Sequence, residues 1–284
     1  MLELDEIEPI QMDWVPEDSP SELDVEVEIP SDPQVEVPAV ALPDVKMPAM
    51  VGVMAMAPVS TGVYEYTYEI KVVIDSDSDG NWEYYYHLYY HLYYMDYDGD
   101  GIYEYRTGNY RYTYILDRND DGNREVTRYA YMNFKYLDKD QDGNYELWYY
   151  NYYTYYYLDA DSDGNLEYGY AYNYYVYRTD WNDDMIFEYW AYRYSYWNFF
   201  DRNDDGNREL YQGNYRYYIR KDTDQDGNHE YYYDYVNTWR YVDANSDGNQ
   251  ESGTSSSTYT LRSDPNDDGT NEIWNTRTST WYFV

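Results

Sequence analysis

The sequence predicts an all-β fold in which tandem 21-residue repeats form an antiparallel up-and-down meander of about eleven strands, with acidic loops at both strand ends. Three observations carry that expectation. One nine-residue acidic loop recurs ten times at a fixed interval of 21 residues, opening with aspartate at 75, 96, 117, 138, 159, 180, 201, 222, 243 and 264. The twelve residues between loops, as in Leu147–Leu158, are built from Tyr, Trp, Val, Thr and Phe, which favour a pleated backbone. Those stretches also repeat every 42 residues. A parallel β-solenoid, the alternative, makes every coil equivalent and shows only the shorter period, whereas a meander reverses at each strand and shows both.

From the N-terminus, residues 1–58 read as an extended acidic arm that carries most of the prolines and no tyrosine. Within it Leu23, Val25, Val27 and Ile29 alternate with acidic residues as a strand does, and Val35 and Val37 continue the pattern between Pro30, Pro33 and Pro38. Residues 47–57 are apolar but too short to span a membrane, so burial against protein is expected. The repeat domain is read as 59–284, with its first strand at 62–74 and ten more after the successive loops.

The 42-residue signal is concrete. Trp148, Trp190, Trp197, Trp239, Trp274 and Trp281 all fall in strands that follow even-numbered loops. The next-to-last strand residue is Ile115, Tyr157, Phe199, Tyr241 or Phe283 in one class, but Tyr94, Tyr136, Arg178, Arg220 or Arg262 in the other. With 48 Tyr against five Phe, cross-strand tyrosine ladders are expected to replace an aliphatic core.

Each loop reads Asp-x-Asp/Asn-x-Asp-Gly-x-x-Glu, with oxygen donors at alternate positions and glycine at the sharp turn. Asp, Asn and Gly gather in ordinary turns too, but ten copies in register, each closing with Glu, suit a hard cation that takes 6–8 oxygens, calcium rather than magnesium. The ligand sets, with the seventh position giving its backbone carbonyl, begin with Asp75, Asp77, Asp79, Asn81 and Glu83, then Asp96, Asp98, Asp100, Ile102 and Glu104. The third and fourth are Asp117, Asn119, Asp121, Asn123 and Glu125, and Asp138, Asp140, Asp142, Asn144 and Glu146. The fifth and sixth are Asp159, Asp161, Asp163, Asn165 and Glu167, and Asp180, Asn182, Asp184, Ile186 and Glu188. Asp201, Asn203, Asp205, Asn207 and Glu209 make the seventh, and Asp222, Asp224, Asp226, Asn228 and Glu230 the eighth. The last two are Asp243, Asn245, Asp247, Asn249 and Glu251, and Asp264, Asn266, Asp268, Thr270 and Glu272. Nine or ten calcium ions per chain are expected, the count turning on the sixth loop, where Met185 replaces the glycine.

The loop resembles the Asp-x-Asp-x-Asp-Gly-x-x-Asp loops of FG-GAP repeats and of thrombospondin type-three repeats, with Glu in place of the final Asp. The resemblance covers these nine residues alone. It implies calcium, an extracellular setting and, from FG-GAP domains, a loop that joins neighbouring antiparallel strands. The helical calcium hand is excluded, because its bidentate Glu stands at position twelve and its flanks are helices.

A net charge of −37 excludes nucleic acid as a partner, since phosphate contacts need Lys and Arg. Ten calcium ions, adding +20, would bring it to −17. No secretion signal is read at the acidic start, and the absence of Cys fits a surface protein held by metal instead of disulfides. The chain has three His; His87 and His91, four apart on a strand, are ~13 Å from each other and cannot share an ion. With no nucleophile elbow and no phosphate-cradling loop, no enzyme is expected. The reading is a structural subunit of an extracellular calcium-stabilised filament or surface coat that self-assembles through its N-terminal arm. The arm packing on its own sheet is the alternative at that point. For the whole chain the alternative is a monomeric calcium-dependent adhesin or carbohydrate-binding module that meets a glycan or cell surface.

Overall fold

The computed structural model describes residues 51–60 by their backbone, and 62–224 and 226–283. The expectations for residues 1–50, including the strand-like alternation at 23–29 and the docking arm, lie outside the described residues. Twelve strands follow one another: β1 Val51–Ser60, β2 Val63–Ile74, β3 Tyr84–Met95, β4 Tyr105–Leu116, β5 Val126–Leu137 and β6 Leu147–Leu158. They continue as β7 Tyr168–Thr179, β8 Tyr189–Phe200, β9 Leu210–Lys221, β10 Tyr231–Val242, β11 Ser252–Ser263 and β12 Ile273–Phe283. All lie in one sheet in chain order, and each neighbouring pair is antiparallel. The chain is therefore an up-and-down meander and not a solenoid. The sheet does not close, since β1 and β12 each pair on one side only.

One strand more than the sequence predicts is present. Strands β2 to β12 are the expected eleven, and β1 adds itself to their N-terminal edge, so a boundary drawn at 58/59 falls inside a strand. Nothing in Val51–Ser60 carries the repeat pattern: it has no tyrosine, no acidic loop before it, and Gly52 and Pro58 within it. Its pairing slips between Pro58 and Ser60, where proline lacks the N–H that a ladder needs. From β2 onward the register is regular, running from Val63↔Met95 to Ser263↔Ile273. Among the described residues no helix is long and apolar enough to cross a membrane.

With a single sheet, side chains on each face bury one another. Small residues lie beneath rings from flanking strands: Ala171 is buried between Tyr155 and Trp197, and Gly169 between Tyr157 and Phe199. A Cβ on Gly169 would stand 2.5 Å from Phe199 Cε1 and 2.6 Å from Tyr157 Cδ1, so only glycine fits there. The tyrosine ladders run diagonally. Tyr152 is paired in register with Tyr174, yet its ring meets Tyr172 at 5.8 Å, and Tyr172 in turn meets Tyr194 at 5.5 Å. Diagonal neighbours are within reach of aromatic side chains, and such pairs add ~0.5–1 kcal/mol each.

The two ends of the strands differ, which accounts for the 42-residue signal. Near one end an arginine–aromatic row crosses the sheet through Tyr136, Trp148, Arg178, Trp190, Arg220, Tyr232, Arg262 and Trp274, each paired with the next. Guanidinium groups lie over rings along it, Arg178 4.5 Å from Trp148, Arg220 4.7 Å from Trp190 and Arg262 4.8 Å from Trp274. Near the other end the equivalent row, Tyr157, Gly169, Phe199, Tyr211, Tyr241, Gly253 and Phe283, has no charge.

Candidate metal centres

Because the strands alternate in direction, the ten loops divide into two rows. Those opening at Asp75, Asp117, Asp159, Asp201 and Asp243 share one rim of the sheet; those at Asp96, Asp138, Asp180, Asp222 and Asp264 share the other. Neighbours within a row are two strands apart, ~9.5 Å at the usual strand spacing. They touch at their bases, where the ladder runs one residue beyond the strands: Asp117 N donates to Glu83 O at 2.9 Å, and Asp159 N to Glu125 O at 2.9 Å.

The fifth loop shows how the residues are placed. Asp159 Oδ2 accepts from Gly164 N at 2.9 Å, Asp161 Oδ1 from Asp163 N at 3.3 Å, and Asp163 Oδ1 from Asn165 N at 2.7 Å. Glu167 reaches back to accept from Ala160 N at 2.7 Å. These bonds fix the carboxylates without exhausting them. The oxygens of Asp159, Asp161 and Glu167 lie within 4.8 Å of one another, as do those of Asp75, Asp77 and Asp79, of Asp96, Asp98 and Glu104, and of Asp138, Asp140 and Asp142. That separation suits oxygens on one shell around a cation bound at ~2.3–2.6 Å.

The first aspartate carries the clearest sign of a missing partner. Asp159 is 1% exposed, Asp117 3% and Asp138 8%, and Oδ1 of each has no hydrogen-bond partner. A buried carboxylate oxygen left in that state is costly unless a cation meets it. Burial accordingly raises the pKa of Asp138, Asp159, Asp180 and Asp201. The fifth-position carboxylates move the other way: the N–H groups of Asn123, Asn207 and Asn249 hold Asp121, Asp205 and Asp247 below the usual range.

The sixth loop keeps the shared geometry. Met185 adopts φ 68° and donates its N–H to Asp180 Oδ2 at 2.8 Å, as the glycines do elsewhere. The left-handed backbone is strained for methionine, but the aspartates stand as in the other loops.

Sequence reasoning missed the fourth position. Among the described residues it is left-handed in Ser78, Asp120, Gln141, Ser162, Asp183, Asp204, Ser246 and Asp267, and in Gly99 of the second loop. From the third loop onward, among the described residues, its side chain reaches into the loop two repeats earlier. Ser162 Oγ stands 3.3 Å from Asn119 Oδ1, 3.3 Å from Asp121 Oδ1 and 3.4 Å from Asn123 O. Ser246 Oγ lies 3.2 Å from Asn203 Oδ1 and 3.1 Å from Asp205 Oδ1, and Gln141 donates to Glu104 Oε1 at 2.7 Å. Asp120 joins Asp77 and Glu83, while Asp183 contacts Asp140, Asp204 contacts Asp161 and Asp267 contacts Asp224. Burial and the facing carboxylates push Asp120, Asp183 and Asp204 to about 6; contact with Asp224, then burial, does the same to Asp267. A signal was present in the sequence, in the match between this position and the third position 43 residues before it.

The histidines stand apart from the candidate ligands, save one. His87 Nε2 meets Glu69 at 2.8 Å and His91 Nε2 meets Glu65 at 2.9 Å, each across the β2–β3 pair. His229 Nδ1 lies 3.7 Å from Asp222 Oδ2. Compared with protein-family models, curated proteins and solved structures, the chain matches none.

Proposed function

We propose that this chain is a structural subunit of an extracellular, calcium-stabilised filament or surface coat, held together along both rims by bound ions. The carrying observation is the buried, unpartnered Oδ1 of Asp138 and Asp159 within converging carboxylates. Calcium answers it in charge, oxygen preference and ligand number. Calcium at the weak affinities of extracellular modules is available outside cells, which favours that setting.

Self-assembly draws its support from the open edges. Natural edge strands are usually blunted by Lys, Pro, bulges or short length. β12 runs for 11 residues with one charge, Arg277, and no proline, and it leaves Trp274 and Tyr282 exposed. Such an edge accepts another strand, either from a second copy or from the N-terminal arm. Electron microscopy in millimolar calcium and after excess chelator tests the proposal. Filaments that come apart on chelation support it; discrete ~35 kDa particles in calcium end it.

The adhesin reading rests on a different observation. Tyr233, Tyr235 and Tyr259 line a shallow groove with Asn275, Arg277 and Ser279 beside the β12 edge. Rings flanked by hydrogen-bonding groups suit a sugar. A glycan that shifts the fluorescence of a monomeric chain would move this reading ahead.

A further inference from the structure

We infer that the metal centres are composite: the fourth-position side chains of Asp120, Ser162, Asp183, Asp204, Ser246 and Asp267 each supply an oxygen ligand to the ion held by the loop two repeats earlier, so that they are metal ligands in trans. This rests on the calcium reading above and adds a set of ligands that the nine-residue motif leaves out.

The serine cages give the geometry. Ser162 Oγ faces Asn119 Oδ1, Asp121 Oδ1 and Asn123 O at 3.3–3.4 Å, and these are the third-, fifth- and seventh-position ligands of the loop at Asp117. Neighbouring oxygens on a shell of ~2.4 Å radius stand about 3 Å apart. The hydroxyl thus occupies a further vertex of the same shell. Ser246 repeats the arrangement against the loop at Asp201.

The aspartate cages give the charge. Asp183 touches Asp140, and Asp204 touches Asp161. Both fourth-position groups keep a buried Oδ1 with no hydrogen-bond partner, as do Asp138 and Asp159 in the cages they enter. Asp159 is 1% exposed and Asp138 8%. Four orphaned carboxylate oxygens in two cages are explained by an ion that several of them share.

Seven of the eight sequence pairs two repeats apart match charged with charged or neutral with neutral, against charge complementarity, and Asp98 with Gln141 is the exception. Where the third position is Asp77, Asp140, Asp161 or Asp224, the residue sent in from the later loop is aspartate. Where it is Asn119 or Asn203, a serine arrives. Carboxylate set against carboxylate is repulsive unless a cation lies between them. The cages opening at Asp75, Asp138, Asp159 and Asp222 thereby gather five carboxylates each, while those at Asp117 and Asp201 gather three. Ligand charge tunes calcium affinity, so the chain carries a tight class of four sites and a weaker remainder. Filling one cage also orders the loop that caps it, which couples the sites along each row.

Calcium titration of the full chain by calorimetry, beside two variants, tests this. The wild-type isotherm should resolve the tight class of four. In a variant with Asp120, Asp183, Asp204 and Asp267 all changed to Ser, that class should weaken tenfold or more with the total number of ions unchanged. A second variant, Ser162→Asp with Ser246→Asp, raises the cages at Asp117 and Asp201 from three carboxylates to four and should tighten those two sites while the class of four stays as it is, and it decides the matter if the first does not fold. Variants that titrate like the wild type overturn the trans-ligand assignment and leave the calcium reading standing. A wild-type chain that takes up no calcium overturns both.

Discussion

At the scale of single residues, the loops place acidic groups where metal-free protein cannot easily tolerate them. Asp120, Asp183 and Asp204, pushed to about 6 against an ordinary value near 4, illustrate the sign of the effect. A carboxyl whose pKa is raised on folding stabilises the fold fully below its unfolded value, and that contribution is lost as pH rises through the folded value. In excess chelator the melting temperature should therefore climb as pH falls from 7 to about 4.5. In saturating calcium the trend should reverse, because protons displace the ion; parallel trends under both conditions would contradict an ion in the cages. Met185 offers a second test. Replacing it with Gly relieves a left-handed backbone and should stabilise the chain by ~1 kcal/mol in urea unfolding. The spacing of Asp159, Asp161, Asp163 and Glu167 was legible because one loop contains all four. The role of Asp204 was not, because it acts on a loop 42 residues earlier and the motif treats its position as free.

At the scale of strands, regular register replaces a second layer of structure. Gly169 lets Phe199 and Tyr157 close over the sheet, and Gly169→Ala should cost ~1–3 kcal/mol by overpacking, measured by unfolding in saturating calcium. An unchanged midpoint would show that the rings can move aside. The strands from β2 to β12 could be read because each lies between two copies of the loop. β1 could not, since Val51–Ser60 owes its place to pairing with β2 and its own sequence carries no loop or tyrosine to announce it. The arginines were visible as an alternation without a cause. The fold supplies it: Arg178 and Arg220 stand beside Trp148 and Trp190 in one row, an environment that only antiparallel reversal creates every 42 residues.

For the molecule as a whole, stability is proposed to rest on the ions and assembly on the sheet edges, so the two can be tested separately. If the loops hold calcium as proposed, ~1 kcal/mol per site over ten sites would contribute ~10 kcal/mol, comparable with the stability of an ordinary domain. Circular dichroism in chelator should show a loosened or unfolded chain, and an unchanged melt would rule out that dependence. The proposed assembly would use the β12 edge instead, where Thr278→Pro removes a backbone donor and adds a steric block. The substitution should abolish filaments seen by electron microscopy while leaving calcium uptake within about twofold of the wild type. The meander has one more consequence, a mechanical one. Because the first and last strands occupy opposite edges, tension applied between them loads the ladder one hydrogen-bonded pair at a time, as a zip and not as a shear. Each tooth that opens frees 21 residues, roughly 70 Å of extended chain, and would release any ion its loop holds. A sheet so hemmed would yield in steps of equal length, and with calcium in the loops the firmest steps would fall at the cages richest in carboxylates.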